Sequence, residues 1–546
     1  MRRSIPFLVL LLAATAQSQN LTEKIDVSLV NVDVTVTSHG APARGLTRDD
    51  FEVLEDGIPQ SITHFYAIEN AREKTAAAQT AAPTVAAPEP APVDERFRRK
   101  VLIVIDNRHM SRHNRDVALH NIEQFINDRF DSGAYDWSVA MISDGAHLLL
   151  PLTSDKARIH AALGEIRAAM AGRAMRDIYR IENRVALVTH DDKSNESVGY
   201  IPSGGPSLNS LIERGERFQK SADSMATYRS IRDVTRAFST QPGRKIVLLV
   251  TGPFGDLTDT PLTALDASLS AETAGGIESV RQWLVREANL SNISFYVINA
   301  EGYIPNNFGA DVHGPDDVFS PAFSAPGVGV PVSTSALQWL AGETGGRALM
   351  GNFTDRSLRD FDADSANFYS LAYTPNHGED GKYHRITVRL TKPGRYTLAY
   401  RNGYSTLPIE RQLERVMTSA MASGLQPSSI PVNLTTGDAT AGDVRGSVLV
   451  PLQATVSAKQ LQFLPAADGS IARVDVLVSL FNERGRLIKT FRTVREAHAK
   501  QGTEGDGNFT ETRSLRLRKG VPYRVVVAIH DQVSDAVGIK SQTVRF

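Results

Sequence analysis

Four apolar runs between positions 101 and 299 constrain the fold more than any other feature of the chain. Val101 to Ile105, Val139 to Ser143, Ile246 to Thr251 and Ile293 to Asn299 are each short, rich in β-branched residues and followed by or closed on a polar residue. A run of that kind without polar alternation is a strand buried on both faces, as in a parallel sheet covered by helices. The segments between them carry helical spacing: Leu119, Ile122, Phe125, Ile126 and Phe130, then Ile159, Leu163 and Ile166, then Val280, Trp283, Leu284 and Ala288. Ala336 to Leu340 opens one more helix, closed by Gly345-Gly346. Strands alternating with helices predict an α/β fold with a doubly wound, mostly parallel sheet. Ligand crevices in such sheets lie at the carboxyl ends of the strands, so Asp106, Ser143, Thr251 and Asn299 sit where a site is expected.

The flanking segments follow a different period. Val30, Val32, Val34 and Val36 alternate with polar residues, and Phe51, Val53 and Leu54 lead into the turn Glu55-Asp56-Gly57 and a further strand through Ile62 to Tyr66. This predicts an N-terminal β module over 20–70. Residues 71–95, dominated by Ala and Pro, read as a linker. Tyr369 to Tyr373, Tyr383 to Leu390 and Tyr396 to Tyr400 predict a β-meander packed against or extending the α/β unit, which together span 96–407. A connector helix over 408–430 and a C-terminal β-sandwich over 431–546 complete the expected order. Two Gly-rich stretches, 191–215 and 304–332, read as long loops inside the α/β unit.

At the N-terminus, Arg2 and Arg3 precede an apolar stretch from Ile5 to Ala14, and small residues follow. That pattern predicts a secretory signal within 1–19, cleaved near Ala16 or Ser18, and a periplasmic or extracellular protein. The apolar stretch is shorter than the roughly 20 residues that span a bilayer, and no later segment is long and apolar enough to do so. A net charge of −1 argues against a dedicated nucleic-acid binder. The chain has no cysteine, which excludes disulfides, zinc–thiolate sites and cysteine nucleophiles.

Several segments taken in order resemble the von Willebrand factor A-related proteins of the acidobacterial type. They are Val32 to Val36, Gly45 to Val53 with Glu55-Asp56-Gly57, Arg244 to Leu249, Thr344-Gly345-Gly346, Tyr369 to Pro375 and Arg401-Asn402-Gly403-Tyr404. The resemblance covers roughly 25–404 and implies a von Willebrand A-like domain. Domains of that kind commonly hold Mg2+ at a metal-ion-dependent adhesion site built from Asp-x-Ser-x-Ser, a Thr and a second Asp. Here Asp106 matches the leading Asp, but Arg108 and Met110 stand at the two Ser positions. Ser111 is one residue out of register, Ser224 and Thr227 are loose candidates for the Thr segment, and Asp256 is displaced from the last position. Magnesium requires hard oxygen ligands, so these departures predict a degenerate metal site. An alternative is that Arg108 replaces the cation and pairs with Asp106.

Other constellations are weaker. His109, His113 and His120 lack the Glu of a His-Glu-x-x-His motif and read as surface. Asp360, Asp362 and Asp364, and Asp506 with Asn508, lack the spacing of a calcium loop. Arg96, Arg98, Arg99 and Lys100 read as a hydrated domain edge. No nucleophile elbow, P-loop or dinucleotide fingerprint is present. The sequence therefore predicts an exported, non-enzymatic protein of the adhesion type that recognises a protein or cell-surface ligand. A secreted hydrolase with unrecognised catalytic residues, or a structural component of the cell envelope, is the alternative.

Overall fold

The computed structural model describes residues 29–69, 72–73, 98–130, 133–170, 208–241, 244–252, 254, 266–300, 335–349, 355–378, 380–423, 429–466, 469–500, 506–534 and 536–545. The expected signal, nearly all of the linker, Asp256, the stretch 191–207 and the loop 304–332 lie outside these residues.

In chain order the first strands are β1 (Val30–Ser38), β2 (Phe51–Glu55), β3 (Ile58–Gln60) and β4 (Ile62–Glu69). The α/β unit follows: β5 (Arg99–Asp106), α1 (Arg112–Arg129), β6 (Tyr135–Ile142), β7 (Ala146–Thr153), α2 (Lys156–Ala168), α3 (Leu208–Ser239), β8 (Lys245–Thr251), α4 (Asp266–Leu290), β9 (Ile293–Asn299), α5 (Ser335–Glu343), β10 (Ala348–Leu349) and α6 (Asp355–Ala366). Its sheet runs β10-β9-β8-β5-β6-β7. Neighbours are parallel except for β6 and β7, which pair antiparallel at one edge.

The apolar runs are buried on both faces for a visible reason. On one face Val101, Ile103 and Ile105 of β5 pack with Ile122 and Ile126 of α1 and Leu163 of α2. On the other, Leu102 and Val104 pack with Ile231 and Val234 of α3 and Leu284 of α4. Each residue from Val101 to Ile105 therefore meets an apolar layer, whichever way its side chain points. Part of the expected loop 191–215 is the first two turns of α3, where Leu208, Leu211 and Ile212 stand at helical spacing just after a Gly- and Ser-rich run that masked the start of the helix.

The segment after α6 supplies β11 (Phe368–Tyr373), β12 (Tyr383–Leu390), β13 (Thr397–Ala399) and β14 (Gly403–Ser405). These strands do not extend the α/β sheet. β11 inserts between β1 and β4, giving the order β13-β1-β11-β4, while β12 pairs β2 in a second sheet ordered β14-β12-β2-β3. Val30, Val32, Val34 and Val36 of β1 pack with Phe51, Val53, Leu371, Tyr373, Ile386 and Val388 in one core. The N-terminal module expected over 20–70 is thus one half of a two-sheet unit whose other half comes from 368–405. Its strands leave too little apolar surface to close a core alone, and the missing layer arrives more than 300 residues later. Arg72–Glu73, inside the expected linker, pairs with Ile68 and Glu69 of β4.

Helix α7 (Ile409–Ser423) leads to six long C-terminal strands, β15 (Ser447–Ser457), β16 (Gly469–Phe481), β17 (Leu487–Ala499), β18 (Asn508–Arg518), β19 (Tyr523–Asp531) and β20 (Val537–Val544). β15 and β18 belong to one antiparallel sheet, and β16, β17, β19 and β20 to another. Val474, Val476 and Val478 of β16 face Val450, Leu452 and Leu515 across the interior. Leu477 and Phe481 point the other way and pack under Leu413, Val416 and Met417 of α7. Period-two alternation in β16 thus feeds two cores at once.

Candidate functional site

The carboxyl end of the α/β sheet is built around Asp106, the last residue of β5, which is completely buried. Thr251, the last residue of the neighbouring strand β8, donates its hydroxyl to Asp106 Oδ2 at 2.7 Å. His109 Nδ1 donates to the same oxygen at 2.7 Å, and the Arg108 backbone N–H donates to Oδ1 at 3.0 Å. Burial alone pushes the Asp106 carboxyl up, but the His109 charge and the hydrogen bonds from His109, Thr251 and Arg108 outweigh it and hold it below the usual carboxylate range. The His109 ring is itself fixed by stacking on Phe254, with centroids 5.1 Å apart.

The side chain of Arg108 turns away from Asp106. Its guanidinium donates to Asp223 Oδ1 at 2.7 Å and to the Ser143 carbonyl at 2.9 Å, so the alternative in which Arg108 pairs with Asp106 gives way to a pairing with Asp223 on α3. His109, expected on the solvated surface, is the side chain that meets Asp106, its Nδ1 lying 2.7 Å from Oδ2. The reason is local. The chain between Asp106 and Ser111 turns tightly enough for His109, three residues on, to fold back over the carboxylate.

Among the described residues, the two serine positions of the motif and the displaced Ser111 supply no free oxygen. Met110 is fully buried in the apolar layer beneath α1. Ser111 caps the N-terminus of α1, its hydroxyl accepting from the Asn114 backbone N–H at 3.3 Å. Ser224 and Thr227 are buried on α3, and the Thr227 hydroxyl has no hydrogen-bond partner among the described residues. Among the described residues, those at the Asp-x-Ser-x-Ser positions therefore do not fit a cation held as in a metal-ion-dependent adhesion site. Both Asp106 oxygens are engaged, and an imidazole stands beside them.

The remaining sequence candidates serve structure. His113 and His120 are exposed and do not converge with His109. Asp362 pairs with Arg99 and Arg129, each at 2.9 Å, and Asp364 pairs with Arg347 at 3.0 Å. Asp506 is exposed in a turn, and Asn508 begins β18. Arg99 and Lys100, expected at a hydrated edge, are buried in β5, with the Arg99 guanidinium 3.7 Å over the Tyr135 ring. The aliphatic stem and stacked head let a charged residue occupy a strand interior once Asp362 balances it.

Sequence reasoning passed over a second cluster in the two-sheet unit. Glu55, His377 and His384 offer donor atoms that all lie within 4.8 Å of one another. Glu55 closes β2, His384 lies on β12, and His377 sits in the loop between β11 and β12. The signal was present in Glu55-Asp56-Gly57, but its histidine partners stand about 320 residues away.

No protein-family profile and no curated protein matches the chain. Among solved structures, BatB from Bacteroides thetaiotaomicron is 14% identical, with 48% of this chain and 96% of that chain covered at a TM-score of 0.23. An aerotolerance-related membrane protein from Bacteroides fragilis is 14% identical, with 49% and 97% covered at a TM-score of 0.22. A β-glucuronidase from Bacteroides uniformis is 10% identical at a TM-score of 0.16, with 33% of this chain covered and only 19% of that enzyme. Scores this low carry neither fold nor function from these proteins to this chain. Among the described residues, no helix is long and apolar enough to cross a membrane.

Proposed function

We propose that this chain is an exported, non-enzymatic binding protein whose α/β unit is a von Willebrand A-like domain that recognises a protein or surface ligand without a bound cation. The observation that supports this reading is the saturation of Asp106 by Thr251, His109 and the Arg108 backbone. In this reading the chain's own imidazole replaces the cation, and the carboxyl end of the sheet keeps its shape in the absence of magnesium. Arg108, with Asp223 and Ser143, forms the partly accessible rim through which an acidic group on a partner would dock.

The test is capture of envelope and extracellular proteins by the immobilised full chain, followed by cross-linking and repetition with chelator. Binding that persists in chelator and falls at least tenfold in Arg108→Glu supports the reading. Binding that requires Mg2+, or that Arg108→Glu leaves unchanged, overturns it.

A further inference from the structure

We propose that Glu55, His377 and His384 form a binding site for one divalent transition-metal ion of the zinc type, clamping the N-terminal strands to the 368–405 segment. Their donor atoms all lie within 4.8 Å of one another. His377 Nε2 lies 2.7 Å from Glu55 Oε1, His384 Nδ1 lies 2.8 Å from Asp56 Oδ2, and His384 Nδ1 lies 3.9 Å from Glu55 Oε1. Glu55 and His384 are buried and His377 is partly buried, while the Asp56 side chain is half exposed and leaves an entry path.

Each donor is also held from behind, as metal ligands are by their outer partners. His377 Nδ1 bonds the Gly378 carbonyl at 2.8 Å, and His384 Nε2 bonds Asp380 Oδ1 at 3.0 Å. Tyr404 donates its hydroxyl to Glu55 Oε2 at 2.8 Å, and the Arg385 N–H donates to Asp56 Oδ1 at 2.8 Å. Asp56 is placed by a two-residue Asp-Gly hairpin in which both residues have positive φ, 49° and 85°.

The hydrogen-bond chemistry points the same way. Each imidazole presents both ring nitrogens to acceptors: a carbonyl and a carboxylate for His377, and two carboxylates for His384. The rings stack with centroids 3.8 Å apart. Because the rings lie only 20° from parallel, loading requires His377 to turn so that both nitrogen lone pairs meet at the ion. His377 sits in a loop and is a quarter exposed, which permits the turn. Two imidazoles and one carboxylate, the set of many catalytic zinc sites, suit zinc better than magnesium or calcium, which prefer all-oxygen sets.

The experiment is zinc titration by calorimetry of the full chain after chelator treatment, with metal content measured by mass spectrometry. The expected result is one equivalent bound, lost in His377→Ala and weakened about 10- to 100-fold in Asp380→Asn. Asp106→Ala should leave the stoichiometry intact, which separates this site from the proposed binding face. Cobalt loading gives a readout independent of affinity, since a nitrogen–oxygen tetrahedral site produces visible absorption bands that His377→Ala should abolish. Circular dichroism checks that the variants fold. No zinc uptake by the folded chain, or uptake and cobalt bands unchanged in both variants, overturns the proposal.

Discussion

Thr251 Oγ1 and His109 Nδ1 each lie 2.7 Å from the same oxygen of the buried Asp106 carboxylate. The threonine fixes the end of β8 to the end of β5, and the histidine folds the following turn back over both. Thr251→Val removes one hydrogen bond to a buried charge while keeping the side-chain shape. It is expected to lower stability by about 1.5–3 kcal/mol, read from urea unfolding. If the loss is below a few tenths, the Asp106 charge is not held by this bond.

The same pair sets an expectation for metal. A magnesium or manganese titration of the full chain should show no saturable heat that Asp106→Ala removes, because His109 and Thr251 already complete the carboxylate. Saturable binding that vanishes in Asp106→Ala would mean that His109 swings aside and that the site is functional.

What was legible in the sequence follows the range of the forces involved. The buried strands at Val101 and Ile246 show in a few consecutive residues because both faces are apolar. The alternation at Val30 to Val36 likewise shows a strand, but nothing local names its partner, and β11 fills that place from over 300 residues away. Edge strand β7 escaped notice because its apolar run is leucines, not β-branched residues, and is broken by Pro151, which an edge strand tolerates. At the candidate site, Asp106 and Thr251 were visible as strand ends. The role of His109 was not, since it depends on a turn that aims one side chain backward. The pairing of Glu55 with His377 and His384 depends wholly on tertiary register.

Gly346 gives a prediction about backbone contact. A Cβ there would lie 2.0 Å from the Phe295 carbonyl oxygen, a backbone atom in the centre of β9 that cannot move aside. The preceding Thr344 hydroxyl accepts from the Phe295 N–H at 3.0 Å, which draws the two chains to that separation. Gly346→Ala should therefore destabilise by about 1–3 kcal/mol or more, measured as a fall in the urea midpoint. Gly342→Ala, where a Cβ meets nothing within 4 Å, is the matched control and should not destabilise.

Glu287 on α4 is buried and pairs with Arg236 of α3 and Arg415 of α7, so one carboxylate joins the connector helix to the α/β unit. Glu287→Ala leaves two guanidinium groups without their shared counter-charge. The expected loss is about 3–5 kcal/mol, the cost of breaking a buried ion pair by removing one partner. Limited proteolysis should show earlier cleavage near α7 in this variant. Unchanged stability and protease resistance would mean that α7 is held by its apolar face alone.

Asp475 carries the clearest pH dependence in the C-terminal sheets. Its side chain is buried, which by itself raises its carboxyl, but hydrogen bonds from His530, Arg492 and Gln532 and the Arg492 charge bring it below the usual range. A carboxyl depressed in the folded state contributes stability that is fully present above its unfolded pKa of about 3.9 and is lost as pH falls through the lower folded value. Asp475→Asn should therefore be less stable than the parent at pH 7, and the gap should narrow as the pH drops below about 4. Arg492 lies at the surface end of this cluster with its side chain a third exposed, so Arg492→Ala should cost less than Asp475→Asn. Equilibrium unfolding of the three proteins at pH 7 and pH 3 measures both differences. A gap that stays constant across that interval would show that Asp475 acts through packing and not through its charge.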